Sequence, residues 1–317
     1  MTRRIAAVDC GTNSIRLLVS EVVDGQLRDV HREMQIVRLG QGVDATGRLA
    51  PEAIERTRVA LHAYVDRMIE TGVDAVRMVA TSATRDAANR EDFFGMARAE
   101  LSRAVPGAEA EVITGDEEAR LSFSGAVGEF DATVGPFVVV DLGGGSTELV
   151  LGDSSGVQAA FSADIGCVRI TERCLRSDPP TADEVAAGRE FAAERLTAAF
   201  DRVPVDSAKT WVGVAGTMTT LSAVAQGLDV YDPARVHLSR LTSADIHAVC
   251  DRLVTMNHEQ RAAIGSIHPG RVDVIGGGAL ITTVLAEELA ERAGIDTLVI
   301  SEHDILDGIA MSVLARG

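Results

Sequence analysis

The sequence predicts an α/β protein of two domains related by duplication. Three observations carry the prediction. A strand, a glycine-rich turn, a second strand, a hairpin and a third strand occur once from about residue 5 and again from about residue 137. Between and after these copies, short apolar runs alternate with runs of helical period, the pattern of α/β chains. The length of 317 residues exceeds one comfortable core and fits two domains of ordinary size.

The first copy opens with Ile5-Ala6-Ala7-Val8-Asp9, a strand ending in aspartate, followed by the turn Cys10-Gly11-Thr12-Asn13-Ser14. Residues 15–23 read as strand, Asp24-Gly25 as a hairpin turn and 27–39 as strand again. A helix is expected over 51–70, opening on Pro51, stopping at Gly72 and showing Ile54, Leu61, Val65 and Met68 on one face. A buried strand over 75–80, a helix over 90–104, a strand over 111–113 and a helix over 115–127 complete this half.

The boundary is expected at 131–135, giving domains 1–132 and 133–317, with the terminal helix able to pack back at the hinge. The second copy runs Phe137-Val138-Val139-Val140-Asp141, then Leu142-Gly143-Gly144-Gly145-Ser146-Thr147-Glu148. Strands over 148–151 and 157–165 flank a turn at 153–156. Helices follow over 168–175 and 182–200, then a strand over 210–214, Gly216-Thr217 and a helix over 218–226. Residues 272–275 lead into Gly276-Gly277-Gly278 and a helix over 279–293, followed by a strand over 298–300 and a helix over 304–314.

Composition narrows the function. A formal charge of −17 argues against a nucleic-acid groove, which needs a basic face, and leaves room only for a local phosphate site. Lys209 is the single lysine and lies outside any glycine-rich run, so a P-loop is ruled out. No apolar stretch has membrane-spanning length and no signal peptide opens the sequence. Cys10, Cys167, Cys174 and Cys250 show no metal-ligand or CxxC spacing, as in a reduced cytoplasmic protein. A Rossmann reading fails because no third glycine follows Gly145 and strand, not helix, comes next. No Ser-His-Asp pattern appears, and Ser124-Gly125 lacks the flanking glycine of a nucleophile elbow.

The turns themselves suit phosphate. Glycine lets backbone N–H groups approach an anion, and Thr12, Asn13, Ser14 and Ser146 add side-chain donors. An aspartate cannot ligate phosphate, so Asp9 and Asp141 imply an intervening metal ion or water.

The chain also carries Val8-Asp9-Cys10-Gly11-Thr12-Asn13-Ser14, Ala80-Thr81-Ser82-Ala83-Thr84-Arg85-Asp86-Ala87-Ala88-Asn89 and Thr114-Gly115-Asp116-Glu117-Glu118-Ala119-Arg120. To these it adds Val140-Asp141-Leu142-Gly143-Gly144-Gly145-Ser146-Thr147-Glu148, Ile165-Gly166-Cys167-Val168-Arg169, Gly213-Val214-Ala215-Gly216-Thr217 and Arg271-Val272-Asp273-Val274-Ile275. With these stretches it closely resembles the exopolyphosphatase/guanosine pentaphosphate phosphohydrolase (Ppx/GppA) family of the actin-like ATPase superfamily. The resemblance implies two actin-like (ribonuclease H-like) domains, each βββαβαβα, with a cleft between them. It implies an exopolyphosphatase that hydrolyses terminal orthophosphate from inorganic polyphosphate, with guanosine penta- or tetraphosphate as alternative ligands. Cytoplasmic location, a homodimer and a setting in the stringent response follow from the same resemblance. Longer relatives have a C-terminal helical extension that this sequence lacks, which leaves long-polymer processivity outside the expectation.

Thr114 and Glu117 have capping-box spacing, which assigns Glu117 a structural role. Glu118, about 100° further round the helix, is free to face a site. The resemblance makes the same choice, placing the catalytic base at Glu118. Its alternative is a glutamate favoured by the helix dipole. Arg85 could fork onto phosphate oxygens or pair with Asp86 or Glu91. Gly11, Thr12, Asn13, Ser14, Gly143, Gly144, Gly145 and Ser146 are the remaining phosphate-binding candidates. Asp141 and Glu148, with Asp9 as a further candidate, are expected to hold Mg²⁺ or Mn²⁺, unless Glu148 is an exposed strand residue. Arg169 and Arg271 are secondary basic candidates, read first as structural, and His268-Pro269-Gly270 reads as a turn. Gly276-Gly277-Gly278 either contacts a nucleoside or allows close packing. Rival functions are guanosine pentaphosphate hydrolysis, an ATP-dependent kinase and a non-catalytic polyphosphate or guanosine tetraphosphate sensor.

Overall fold

A computed structural model describes residues 3–315, in which the chain forms two α/β units. The first comprises Met1–Gly125 and Ile305–Gly317, the second Ala126–Asp304.

In the first unit β1 (Arg4–Cys10), β2 (Ser14–Val23) and β3 (Gln26–Ile36) form an antiparallel meander. Asp24 and Gly25 turn the hairpin with φ of 51° and 78°, the left-handed pair that matches strand twist. After α1 (Val43–Thr46) comes α2 (Pro51–Thr71), which opens on proline and closes at Gly72, where φ is 68°. β4 (Ala75–Ala80) lies parallel to β1, and α3 (Ser82–Asp86) and α4 (Arg90–Leu101) lead to β5 (Ala110–Val112), parallel to β4. α5 (Gly115–Val127) follows. The sheet order is β3-β2-β1-β4-β5.

Alternation along β1 divides the core. Ala6, Val8 and Cys10 pack with Leu61, Tyr64 and Met68 of α2 and Phe93 and Ala97 of α4. Ile5 and Ala7 face the other side. β1 is therefore apolar on both faces, as a central strand covered twice must be.

The second unit repeats the plan. β6 (Phe137–Leu142), β7 (Thr147–Asp153) and β8 (Gly156–Ala163) form the meander, followed by α6 (Cys167–Cys174) and α7 (Ala182–Phe200). β9 (Thr210–Val214) pairs parallel with β6 and leads into α8 (Ala215–Ala225). Next come α9 (Pro233–Val236), β10 (Arg240–Thr242), α10 (Ser243–Thr255), α11 (His258–Ala262) and α12 (Ile275–Ala293). β11 (Thr297–Ile300) lies parallel to β9 and antiparallel to β10. The order is β10-β11-β9-β6-β7-β8, so apart from the added edge strand β10 both sheets share order and strand sense. The chain ends in α13 (Ile305–Ala315).

Four expectations change. α13 belongs to the first unit, because Ile305, Leu306, Ile309 and Val313 complete the apolar layer on Ile5 and Ala7. At about 1.5–3 kcal/mol for each large aliphatic side chain buried, that layer outweighs sequence adjacency to the second half. The other division falls between Gly125 and Ala126, ahead of 131–135. Gly276, Gly277 and Gly278 are the first turn of α12, not a turn before it. A Cβ on them would lie 2.7 Å from Arg261 Nη1, 2.4 Å from Thr171 Oγ1 and 2.5 Å from Thr217 Cγ2, so close packing demands glycine there. Finally, α8 begins at Ala215, with φ of 67°, earlier than the expected 218. Residues 227–271, for which the sequence reading named only the turn at His268-Pro269-Gly270, carry β10, α9, α10 and α11.

Candidate active site

The second glycine turn is held at its ends and from behind by hydrogen bonds. Its ends are closed by Gly143 N–H donating to Ser146 O at 3.0 Å. Its carbonyls are held from behind by the first turn of α6. Cys167 N donates to Gly143 O (3.0 Å), Val168 N and Arg169 N donate to Gly144 O (2.9 and 3.1 Å), and Arg169 Nε donates to Gly145 O at 2.8 Å. In a trans peptide the N–H points opposite to the C=O. Anchoring these three carbonyls therefore aims the N–H groups of Gly144, Gly145 and Ser146 away from α6, as a three-donor concavity. Gly143 is thus a turn-closing residue whose N–H is already used. Arg169, read first as structural, braces the turn through its bond to Gly145 O.

Gly166 makes this approach feasible. A Cβ there would lie 2.4 Å from Gly144 C and 2.6 Å from Gly145 N. Its only sequence signal was its place in the Ile165-Gly166-Cys167-Val168-Arg169 stretch.

The first turn is closed by the same bond, Gly11 N–H to Ser14 O at 2.9 Å. Here the carbonyls are held by the segment after β3. Gly40 N donates to Thr12 O, and Val37 N and Arg38 N donate to Asn13 O. Thr12 Oγ1 shares a hydrogen bond with Ser82 Oγ at 2.9 Å, tying the turn after β1 to the start of α3 after β4. Gly40 lets Thr12 fit, since a Cβ would lie 2.3 Å from its methyl group.

Arg85 and Glu118 meet on the same unit. Arg85 Nη1 donates to Glu118 Oε2 and to Ile113 O, both at 3.1 Å. The ion partner of Arg85 is Glu118, not Asp86 or Glu91. Gly11–Ser14, Arg85 and Glu118 thus gather at the carboxyl ends of the parallel strands β1, β4 and β5, where α/β sheets present ligand sites.

Glu117 and Glu118 separate as their positions suggested. Thr114 Oγ1 accepts from Glu117 N at 3.2 Å, which caps α5, but the Glu117 carboxylate goes to Arg77 Nη2 at 2.5 Å. Arg77 is buried and also bonds Glu111 and, at 2.7 Å, Ser312 Oγ. Glu118 is only 7% exposed. Glu117→Gln is therefore expected to leave turnover within about twofold and to cost roughly 1–2 kcal/mol of stability, read by thermal melting, because Arg77 keeps two other partners.

The two copies differ at one decisive rung. Asp141 faces Glu148 across β6 and β7, and Asp9 faces Arg16 across β1 and β2. Asp9 is ion-paired there, with Arg16 Nη2 2.7 Å and Nε 3.0 Å from Oδ2. The second copy instead sets two buried carboxylates on one face, 6% and 1% exposed. Glu148 is therefore not an exposed strand residue. Ser162 Oγ donates to Glu148 Oε1 at 2.7 Å. Hard oxygen donors on one or two carboxylates, completed by substrate phosphates and water, are how Mg²⁺ is held, so Asp141 and Glu148 fit it. Asp9, already neutralised by a guanidinium, fits it less well.

Among the described residues one trio of His, Cys, Asp or Glu ligand atoms lies close enough to share an ion: Glu129, His237 and His303. His237 Nδ1 accepts from Glu302 N, so Nε2 carries the proton it gives to Glu129 and is not a metal ligand in this arrangement.

No thiolate serves either turn. Burial raises the Cys10 thiol well above its ordinary value, with the Asp9 charge adding to it. Burial also raises Cys167, against partial compensation from the Thr217 hydroxyl and Arg271. Arg271 Nη1 donates to Gly216 O at 3.2 Å and to Thr220 Oγ1 at 3.3 Å, bracing the start of α8.

Two α/β units of one topology, each opening on an Asp-bearing strand and a turn closed by the same hydrogen bond, define a protein of the actin-like ATPase fold. A model of the Ppx/GppA phosphatase family matches residues 18–313. The chain belongs to the Ppx/GppA phosphatase family. Exopolyphosphatase 2 of Mycobacterium tuberculosis is 62% identical over 314 residues, 98% of each chain. An exopolyphosphatase-like protein of known structure is 44% identical, with a TM-score of 0.92 over 99% of both chains. The Aquifex aeolicus family member is 33% identical with a TM-score of 0.80, covering 100% of this chain and 99% of its own.

Proposed function

We infer that this chain is an exopolyphosphatase that releases terminal orthophosphate from inorganic polyphosphate. The observation that carries the reading is the Gly144–Ser146 cradle, a phosphate receptor beside a buried pair of carboxylates. Water is the nucleophile in this reading, as hydrolysis requires. The name of the 62% identical relative supports polyphosphate as the substrate. So does the glycine triplet of α12, whose buried, side-chain-packed faces suit helix packing better than a nucleoside.

In this mechanism Gly144, Gly145 and Ser146 N–H groups donate to the non-bridging oxygens of the terminal phosphoryl group and meet the charge that develops there. Glu118 accepts the proton of the attacking water, and Arg85 holds its carboxylate in orientation. Thr12, Asn13 and Ser14 bind the adjoining phosphates. Asp141 and Glu148 would hold Mg²⁺ or Mn²⁺, which when bound supplies further charge neutralisation at the phosphate oxygens. The anhydride P–O bond breaks, leaving orthophosphate and a chain one unit shorter.

Phosphate release from polyphosphates of defined length and from guanosine pentaphosphate tests the substrate. Release from polyphosphate is expected, and release from the nucleotide alone would overturn the reading. Chelation with excess EDTA is expected to stop release and added Mg²⁺ to restore it. Undiminished release in EDTA would remove the metal from the mechanism. The four free cysteines, three of them buried, suit a reducing cytoplasm, and a homodimer is the assembly the family suggests. Sedimentation equilibrium measures the latter directly.

A further inference from the structure

We propose that Ser162 is a positioning residue for the metal-binding carboxylate of Glu148. The inference rests on the reading of Asp141 and Glu148 as metal ligands and adds a residue that no sequence motif marked.

Ser162 lies on β8 directly opposite Glu148 of β7, and Glu148 lies directly opposite Asp141 of β6. Residues opposed in antiparallel ladders share a face, so the three side chains form one row across the sheet. Within that row Ser162 Oγ donates to Glu148 Oε1 at 2.7 Å. A glutamate keeps two more rotatable bonds beyond χ1, and a fixed hydroxyl on one oxygen selects one orientation of its carboxylate. Hydrogen bonds of this kind set both the geometry and the affinity of metal ligands.

The internal duplication supplies an independent comparison. The corresponding row of the first unit is Asp9, Arg16 and Met34. There the middle residue is a guanidinium bonded directly to its aspartate, and the third position is an apolar side chain. A hydroxyl stands in the third position only in the copy whose middle residue is an acid. The hydroxyl accompanies the carboxylate, not the fold.

The test is Mn²⁺ binding to the substrate-free, full-length protein, followed by electron paramagnetic resonance, in Ser162→Ala, Ser162→Val, Ser162→Thr and Glu148→Gln. Ser162→Ala and Ser162→Val are expected to weaken Mn²⁺ about tenfold. Ser162→Thr, which restores the hydroxyl on a nearly Val-shaped side chain, is expected to bind within about twofold of the parent. The Mg²⁺ concentration for half-maximal phosphate release should rise in parallel, with KM for polyphosphate unchanged at saturating Mg²⁺. Parent-like Mn²⁺ binding by Glu148→Gln would sink the metal reading itself. Weak binding by Glu148→Gln with parent-like binding by Ser162→Ala would sink only the role of Ser162. Equal weakening by Ser162→Thr and Ser162→Val would also overturn it, since the hydroxyl would then be irrelevant.

Discussion

Glu118→Gln is expected to slow phosphate release by about 10²–10⁴-fold while polyphosphate still binds. Glutamine has the same shape, and its amide oxygen can still accept from Arg85 Nη1, as Glu118 Oε2 does now at 3.1 Å. The substitution therefore removes basicity and one negative charge without opening a cavity at a site that is 7% exposed. Single-turnover release and equilibrium binding of a defined polyphosphate separate the two effects. Glu117→Gln is the internal control, because its carboxylate is committed to Arg77. Equal loss in both variants would point to disruption of α5, and full activity in Glu118→Gln would mean that another group takes the proton. A protein that merely senses polyphosphate would show no release in the parent either, so the parent rate decides that alternative.

Gly166→Ala is expected to lower kcat by about 10²-fold, comparable to losing one preorganised donor. The added Cβ would lie 2.4 Å from Gly144 C and 2.5 Å from Gly144 O, backbone atoms that cannot swing aside like a side-chain tip. Relief requires the turn to leave the first turn of α6, which breaks the bonds from Cys167 N and Val168 N that orient the cradle. The same overpacking should cost roughly 1–3 kcal/mol, visible as a lower melting temperature. Gly95→Ala, on an exposed stretch of α4 with open space around its Cβ position, is the contrast. It should leave turnover unchanged and stabilise the helix by up to about 1 kcal/mol. Parent-like phosphate release in Gly166→Ala would show that the cradle tolerates displacement and is not the phosphoryl receptor.

Much of the architecture was legible because its causes are local. Proline at the start of α2, Gly72 beyond its end and the Asp24-Gly25 hairpin act through backbone preferences of neighbouring residues. The separation of Glu117 from Glu118 likewise follows from one cap and the pitch of one helix. Legibility failed where a segment's state depends on distant partners. Three consecutive glycines look like a turn, yet Arg261, Thr171 and Thr217 leave room for nothing larger and the segment is helical. β10 escaped for a related reason, being three residues long and existing by pairing with β11. α10 and α11, by contrast, carried local signals, the Thr242–Asp245 and Asn257–Gln260 capping boxes, that the sequence reading did not use.

By itself the sequence determined the duplication, the two aspartate–glycine turns and the position of Glu118, since each is written in a short run of residues with its own backbone chemistry. Tertiary structure alone decided which peptide N–H groups of the second turn point outward, because that depends on α6 grasping the carbonyls behind them. It also decided that Arg85 pairs with Glu118 and that α13 completes the first unit. These are contacts between segments far apart in the chain, and only the folded packing brings them within bonding distance.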